Sequence, residues 1–156
     1  MIYNQLLNEC SKSDIDVYEM DLINKGLYLN GIIALSCRLL TVEKTCILAE
    51  ELGHHETTVG NILDQTKIEN VKQEKRARNW AYEKLIKIES LISAHKNGCR
   101  NKFEVAEYLE VTESFLEDTI KHYKEKYGLY YTVDNYIIYF EPLGILEMFT
   151  SADGSK

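Results

Sequence analysis

The stretch Glu50-Glu51-Leu52-Gly53-His54 decides how this chain is read. It differs by one residue from His-Glu-x-x-His, the helical pattern in which two imidazoles at i and i+4 grip a metal ion and the intervening Glu handles protons. His54 occupies the second imidazole position and Glu51 the proton-handling position. Glu50 stands where the first imidazole would be. Residues four apart on a helix share a face, so Glu50 and His54 lie in one row, with Cys46 and Ile47 beside them pointing it inward. Glu51 is turned about 100° from Glu50. That places it to reach a water on a metal without ligating the metal.

The flanks predict a small sheet and then two long helices. Residues 2–10 read as a short helix, and 14–20 alternate like a strand with Ile15 and Val17 on one face. Asn30-Gly31 is a strong hairpin turn between 27–29 and 32–35, which predicts an antiparallel sheet ahead of the motif. The motif helix is expected from Thr41, as N-cap with Glu43 in the first turn, to His55, with an exit loop over 56–60. A second helix is expected over 69–88, rich in Lys, Arg, Glu and Ala and carrying Trp80.

Glu74, Ala77, Ala81, Leu85 and Ile88 form one stripe of that second helix. The stripe is otherwise apolar, so Glu74 is expected on the packing face, where a carboxylate needs a partner or a cation. Ala77, Ala81 and Gly53 are small enough to let the two helices approach closely. A cation shared by Glu50, His54 and Glu74 would satisfy both carboxylates. The plainer alternative pairs Glu74 with Arg78, four residues on. The overlapping frame His55-Glu56 fails because Val59 stands at its second imidazole position. His95 and His122 are expected to face solvent, and Lys72, Lys75, Arg76 and Arg78 to form a solvated helix face.

Past residue 89 the character changes. Gly98 reads as a helix stop. Two helices follow over 103–109 and 112–127, turning at Glu110-Val111, with Thr112 capping the second. A hairpin over 129–133 and 136–140 turns at Asp134-Asn135, and Pro142 is expected to end its strand. The spacing is that of a helix-turn-helix with a wing. Its supposed recognition helix, however, opens with Glu113, Glu117 and Asp118, and its lysines come late, which argues against DNA binding. The expected fold class is α+β: a small domain over 1–89, a helix-turn-helix-like module with a β-hairpin over 90–145, and a flexible tail over 146–156.

The chain of 156 residues is 45% hydrophobic and 28% charged, an ordinary globular balance. Its net charge of -7 opposes attraction to nucleic acid or an anionic membrane. No apolar run is long enough to span a bilayer, and no signal peptide is visible. Cys10, Cys37, Cys46 and Cys99 are scattered with no C-x-x-C pair, as expected of reduced thiols in the cytoplasm.

Several segments together resemble the ImmA/IrrE family of intracellular metallopeptidases, many of them encoded by phages and mobile elements. They are the hairpin from Lys25-Gly26-Leu27-Tyr28 through Ile33, the Ala49-Glu50-Glu51-Leu52-Gly53-His54-His55 helix, and Gln73-Glu74-Lys75-Arg76-Ala77-Arg78-Asn79-Trp80-Ala81, which looks like the family's E-x-x-A-x-x-F-A segment. Glu104-Val105-Ala106-Glu107-Tyr108-Leu109 and the closing hairpin look like the appendage of phage-type members. The resemblance implies a zincin-like core, a bound zinc, and cleavage or inactivation of a helix-turn-helix repressor. It makes His54 and Glu74 metal ligands and Glu51 the catalytic acid/base. Glu50 departs from the family pattern. It either ligates, giving a Glu/His/Glu set open to zinc or to a harder ion such as manganese, or marks a scaffold that binds its regulator without cutting it, a non-catalytic antirepressor.

Overall fold

The Asn30-Gly31 turn organises the first sheet. Both residues have positive φ, 45° and 79°, the backbone of a two-residue turn that matches strand twist. It joins β2 (Gly26–Leu29) to β3 (Ile32–Ser36) as an antiparallel pair. β1 (Asp16–Met20) lies on the other side of β3 and runs parallel to it, so the sheet order is β1-β3-β2. The antiparallel sheet expected from the sequence is therefore mixed. After α1 (Ile2–Lys12), β1 ends at Met20 beside Ser36, and the segment from Asp21 to Lys25 carries the chain past the end of β3 to Gly26 of β2.

The computed structural model describes residues 1–57 and 67–149. The chain is α+β, with six helices and two three-stranded sheets among those residues. Central to it is α2 (Thr41–Thr57), which buries Cys46, Leu48, Ala49, Leu52 and Gly53. The Leu40 carbonyl accepts the Lys44 N–H, so the helix begins one residue earlier than a Thr41 cap would place it. The exit loop expected over 56–60 lies largely outside the described residues, and α2 itself continues through Thr57.

α3 (Lys67–Leu85) packs along α2. The single helix expected over 69–88 is broken at Ile86-Lys87. Lys87 is extended (φ -72°, ψ 153°) and starts α4 (Ile88–Lys96). The break lets Ile86 and Ile88, 0% and 7% exposed, both reach the core. Gly98 (φ 86°) follows the end of α4, as expected.

α5 (Lys102–Tyr108) is capped by Asn101, whose side chain accepts the Glu104 N–H, and α6 (Glu113–Tyr127) by Thr112, which accepts the Phe115 N–H. β4 (Tyr130–Val133) and β5 (Tyr136–Phe140) form the expected hairpin. Pro142 does not end the sheet. It sits in the turn that leads to β6 (Leu143–Glu147), so the hairpin is a three-stranded meander. The flexible tail expected over 146–156 does not begin at 146, because Leu146 and Glu147 pair with β5; residues 150–156 lie outside the described residues. One hydrophobic cluster runs from Tyr3 in α1 through α2 to Tyr123 in α6 and Phe140 in β5. No described helix is long and apolar enough to cross a membrane.

Candidate active site

Gly53 and Ala77 bring α2 and α3 into backbone contact. A Cβ on Gly53 would stand 2.2 Å from the Ala77 carbonyl oxygen. Ala77 and Ala81 are fully buried in the same seam. This close approach carries His54, next after Gly53, to Glu74, three residues before Ala77. His54 Nε2 lies 3.2 Å from Glu74 Oε1. The Arg78 guanidinium is 4.0 Å from the other Glu74 oxygen, so Glu74 stands between His54 and Arg78. Glu74 is half-exposed, at the rim of the helix seam rather than within it.

β2 forms the opposite wall. A Cβ on Gly26 would stand 2.5 Å from Ile47 Cγ2 and 3.1 Å from Glu51 Oε1, so the strand closes down on the Glu51 carboxylate. Gly26, Leu27, Tyr28, Glu51, His54 and Glu74, with Asn70 and Gln73, line an open recess of about 430 Å³. Burial raises the Glu51 pKa to about 7, and the neighbouring Glu50 and Glu74 charges push it the same way.

Glu50 lines a second groove, about 510 Å³, on the other side of the helix row, with Arg78, Tyr82, Phe115 and Asp118. Burial raises its pKa first. Arg78 opposes that rise, while Glu74 and Asp118 add to it. Cys46, one turn earlier, faces the same groove, and burial pushes its thiol to about 11. It is a packing cysteine rather than a reactive one.

Tyr28 carries no role in the sequence reading beyond its place in the hairpin. Its hydroxyl lies 2.7 Å from His55 Nδ1, and the rings meet edge to face at 5.5 Å. That bond ties the mouth of the recess to α2. An Asn-Gly hairpin followed by a His-His pair gives no spacing rule that would have revealed it. His122, expected in solvent, is mostly buried and 2.7 Å from Glu83.

An imidazole nitrogen and a carboxylate oxygen are ligand types that a divalent cation takes. Two donor atoms 3.2 Å apart match the edge of a tetrahedron with arms of about 2.0–2.1 Å. Among the described residues the Glu50 and Glu51 carboxylates have no hydrogen-bond or ion-pair partner; Arg78 and Lys25 offset the Glu50 charge in part, while only acidic neighbours act on Glu51. The side chains as they stand are a pair plus a neighbour. Among the described residues no three His, Cys, Asp or Glu form a group that could hold a metal ion.

The family model of the IrrE N-terminal-like domain, Peptidase M78, matches residues 9–121. The chain belongs to that family. The match spans α2 and α3 and so takes in every residue of the recess, giving this IrrE-like chain a metallopeptidase-like scaffold. It ends within α6, before the second sheet. No curated protein matches the chain.

Proposed function

We propose that the chain is a cytoplasmic, metal-dependent endopeptidase that cleaves a helix-turn-helix repressor of a phage or mobile element. One observation carries this reading. The recess that holds Glu51 and the His54–Glu74 pair is walled by an edge strand. β2 pairs only with β3 among the described strands. Leu27 and Leu29, 47% and 69% exposed, stand on its open surface. An extended peptide can add to such an edge through backbone hydrogen bonds, with alternate side chains seated by the exposed leucines. It would then run past Glu51.

In this reading the first sheet with α2 and α3 is a zincin-like core, and the region from α4 to β6 is a winged-helix-like module. His54 and Glu74 would hold the metal, zinc or manganese; Glu50, one turn back, would have to turn out of its neighbouring groove to serve as the third donor. When bound, the ion supplies Lewis-acid polarisation. The residues of the chain do the rest. β2 fixes the peptide, so the scissile carbonyl meets the water in a set orientation. Glu51 takes the proton from the attacking water and returns one to the leaving amine. Ile47 and the edge strand keep bulk solvent from the Glu51 carboxylate.

The Glu50 position favours a second reading, a non-catalytic antirepressor that grips its regulator along the same edge. Coexpression with a helix-turn-helix regulator, with fragments read by mass spectrometry, separates the two. The peptidase reading predicts a discrete cut that disappears in Glu51→Gln. An intact regulator, still relieved of DNA binding by the Glu51→Gln variant, would establish the antirepressor instead.

A further inference from the structure

A groove between the N-terminal end of α2 and α5 combines an apolar floor with an acidic rim. Val42, Ala106 and Val111 line its floor, and Phe103 stands beside them 60% exposed. The volume is about 510 Å³. Glu107, Glu110 and Glu113 ring it. Among the described residues, none of the three enters an ion pair. The groove shares no residue with the recess.

An apolar partner without charge would bury the glutamates uncompensated, and an anionic one would be repelled. A helix with apolar anchors flanked by Lys or Arg meets both requirements: the anchors cover Phe103 and the partly exposed Val42, and the cations reach the rim. We propose that this groove docks a cationic amphipathic helix of the substrate protein. The identity of that protein rests on the peptidase reading; the docking chemistry does not. Thr41 and His54 are thirteen residues apart on α2, which at about 1.5 Å per residue is about 20 Å. About six extended residues span that distance. A helix held in the groove would therefore deliver the segment beside it to the edge strand.

The test measures binding, not cleavage, on the full chain. The probe is a fluorescein-labelled peptide with Leu at helical i, i+3, i+4 spacing and Arg flanking it. Its anisotropy is followed against wild type, Glu107→Lys/Glu113→Lys, Phe103→Ala, and the recess variant Glu51→Gln. All four positions are exposed or half-exposed, and circular dichroism verifies the fold of each variant. We expect the charge-reversed and Phe103→Ala proteins to bind about tenfold more weakly. Glu51→Gln should bind as wild type does, and added salt should weaken both of those complexes but not that of Glu107→Lys/Glu113→Lys. Equal binding of a peptide with Glu in place of Arg would overturn the proposal. So would undiminished affinity in Glu107→Lys/Glu113→Lys, or self-association of the chain that the same variants abolish. Because Glu51→Gln is silent here, failure of the peptidase reading would leave this result untouched, and the reverse also holds.

Discussion

Gly53 meets the Ala77 carbonyl so closely that no side chain fits between α2 and α3. The contact sets the distance between His54 and Glu74, because each lies within three residues of it. Gly53→Ala must push the helices apart against a backbone atom that cannot rotate away. We expect a loss of about 2–4 kcal/mol in urea unfolding. Wild-type stability in Gly53→Ala would show that the seam is looser than described.

Glu51 gives a pH signature in metal-free protein. Its folded pKa, about 7, lies above the ordinary carboxylate value. The folded state therefore holds a proton that the unfolded state releases, and stability falls as pH rises from about 4.5 through 7. Glu51→Gln removes that penalty. At pH 8 the variant should be more stable than wild type by on the order of 1–3 kcal/mol, and the two should converge near pH 4. Equal midpoints at pH 8 would refute a carboxylate whose pKa is raised by partial burial and by its acidic neighbours.

Glu83 has the opposite sign. Burial raises its pKa, but hydrogen bonds from Lys126 and His122 outweigh that and lower it overall. The contribution is present above the ordinary carboxylate pKa and is lost as pH falls through the depressed folded value. Glu83→Gln should destabilise the α3–α6 contact by no more than about 0.5–1 kcal/mol at pH 7, because the carboxylate is 39% exposed and screened by solvent. The difference should close in acid, as followed by thermal melts across pH.

The caps of the C-terminal helices are independent. Thr112→Ala removes the acceptor for the Phe115 N–H, and Asn101→Ala the acceptor for the Glu104 N–H. Each should cost about 1 kcal/mol, and the double variant should lose roughly the sum. A strongly non-additive result would show that the two helices fold as one unit around Glu110.

Much of this was legible in the sequence because it rests on local rules. Asn30-Gly31, Gly98 and Thr112 each act through their own backbone or the next turn, and each sits where expected. The small residues of the Gly53–Ala77 seam were also readable from spacing. What escaped depended on distant partners. The parallel pairing of β1 with β3 and the third strand after Pro142 are contacts between separate segments, and the break at Lys87 brings both Ile86 and Ile88 to the core. In the site, helical periodicity placed His54 opposite Glu74. It could not foresee that the Glu50 carboxylate would line the neighbouring groove, because a rotation of a few tens of degrees along a helix row decides that. Nor could it find the Tyr28–His55 bond, which joins two elements across 27 positions of chain.

The central claim is that His54 and Glu74 are poised to share a cation. Isothermal titration of zinc, then manganese, into chelator-stripped protein tests it most directly, with His54→Ala and Glu74→Ala alongside. The account predicts one ion per chain for wild type and binding weakened about 100-fold or more in both variants. No binding to wild type, or identical isotherms for all three proteins, would contradict it.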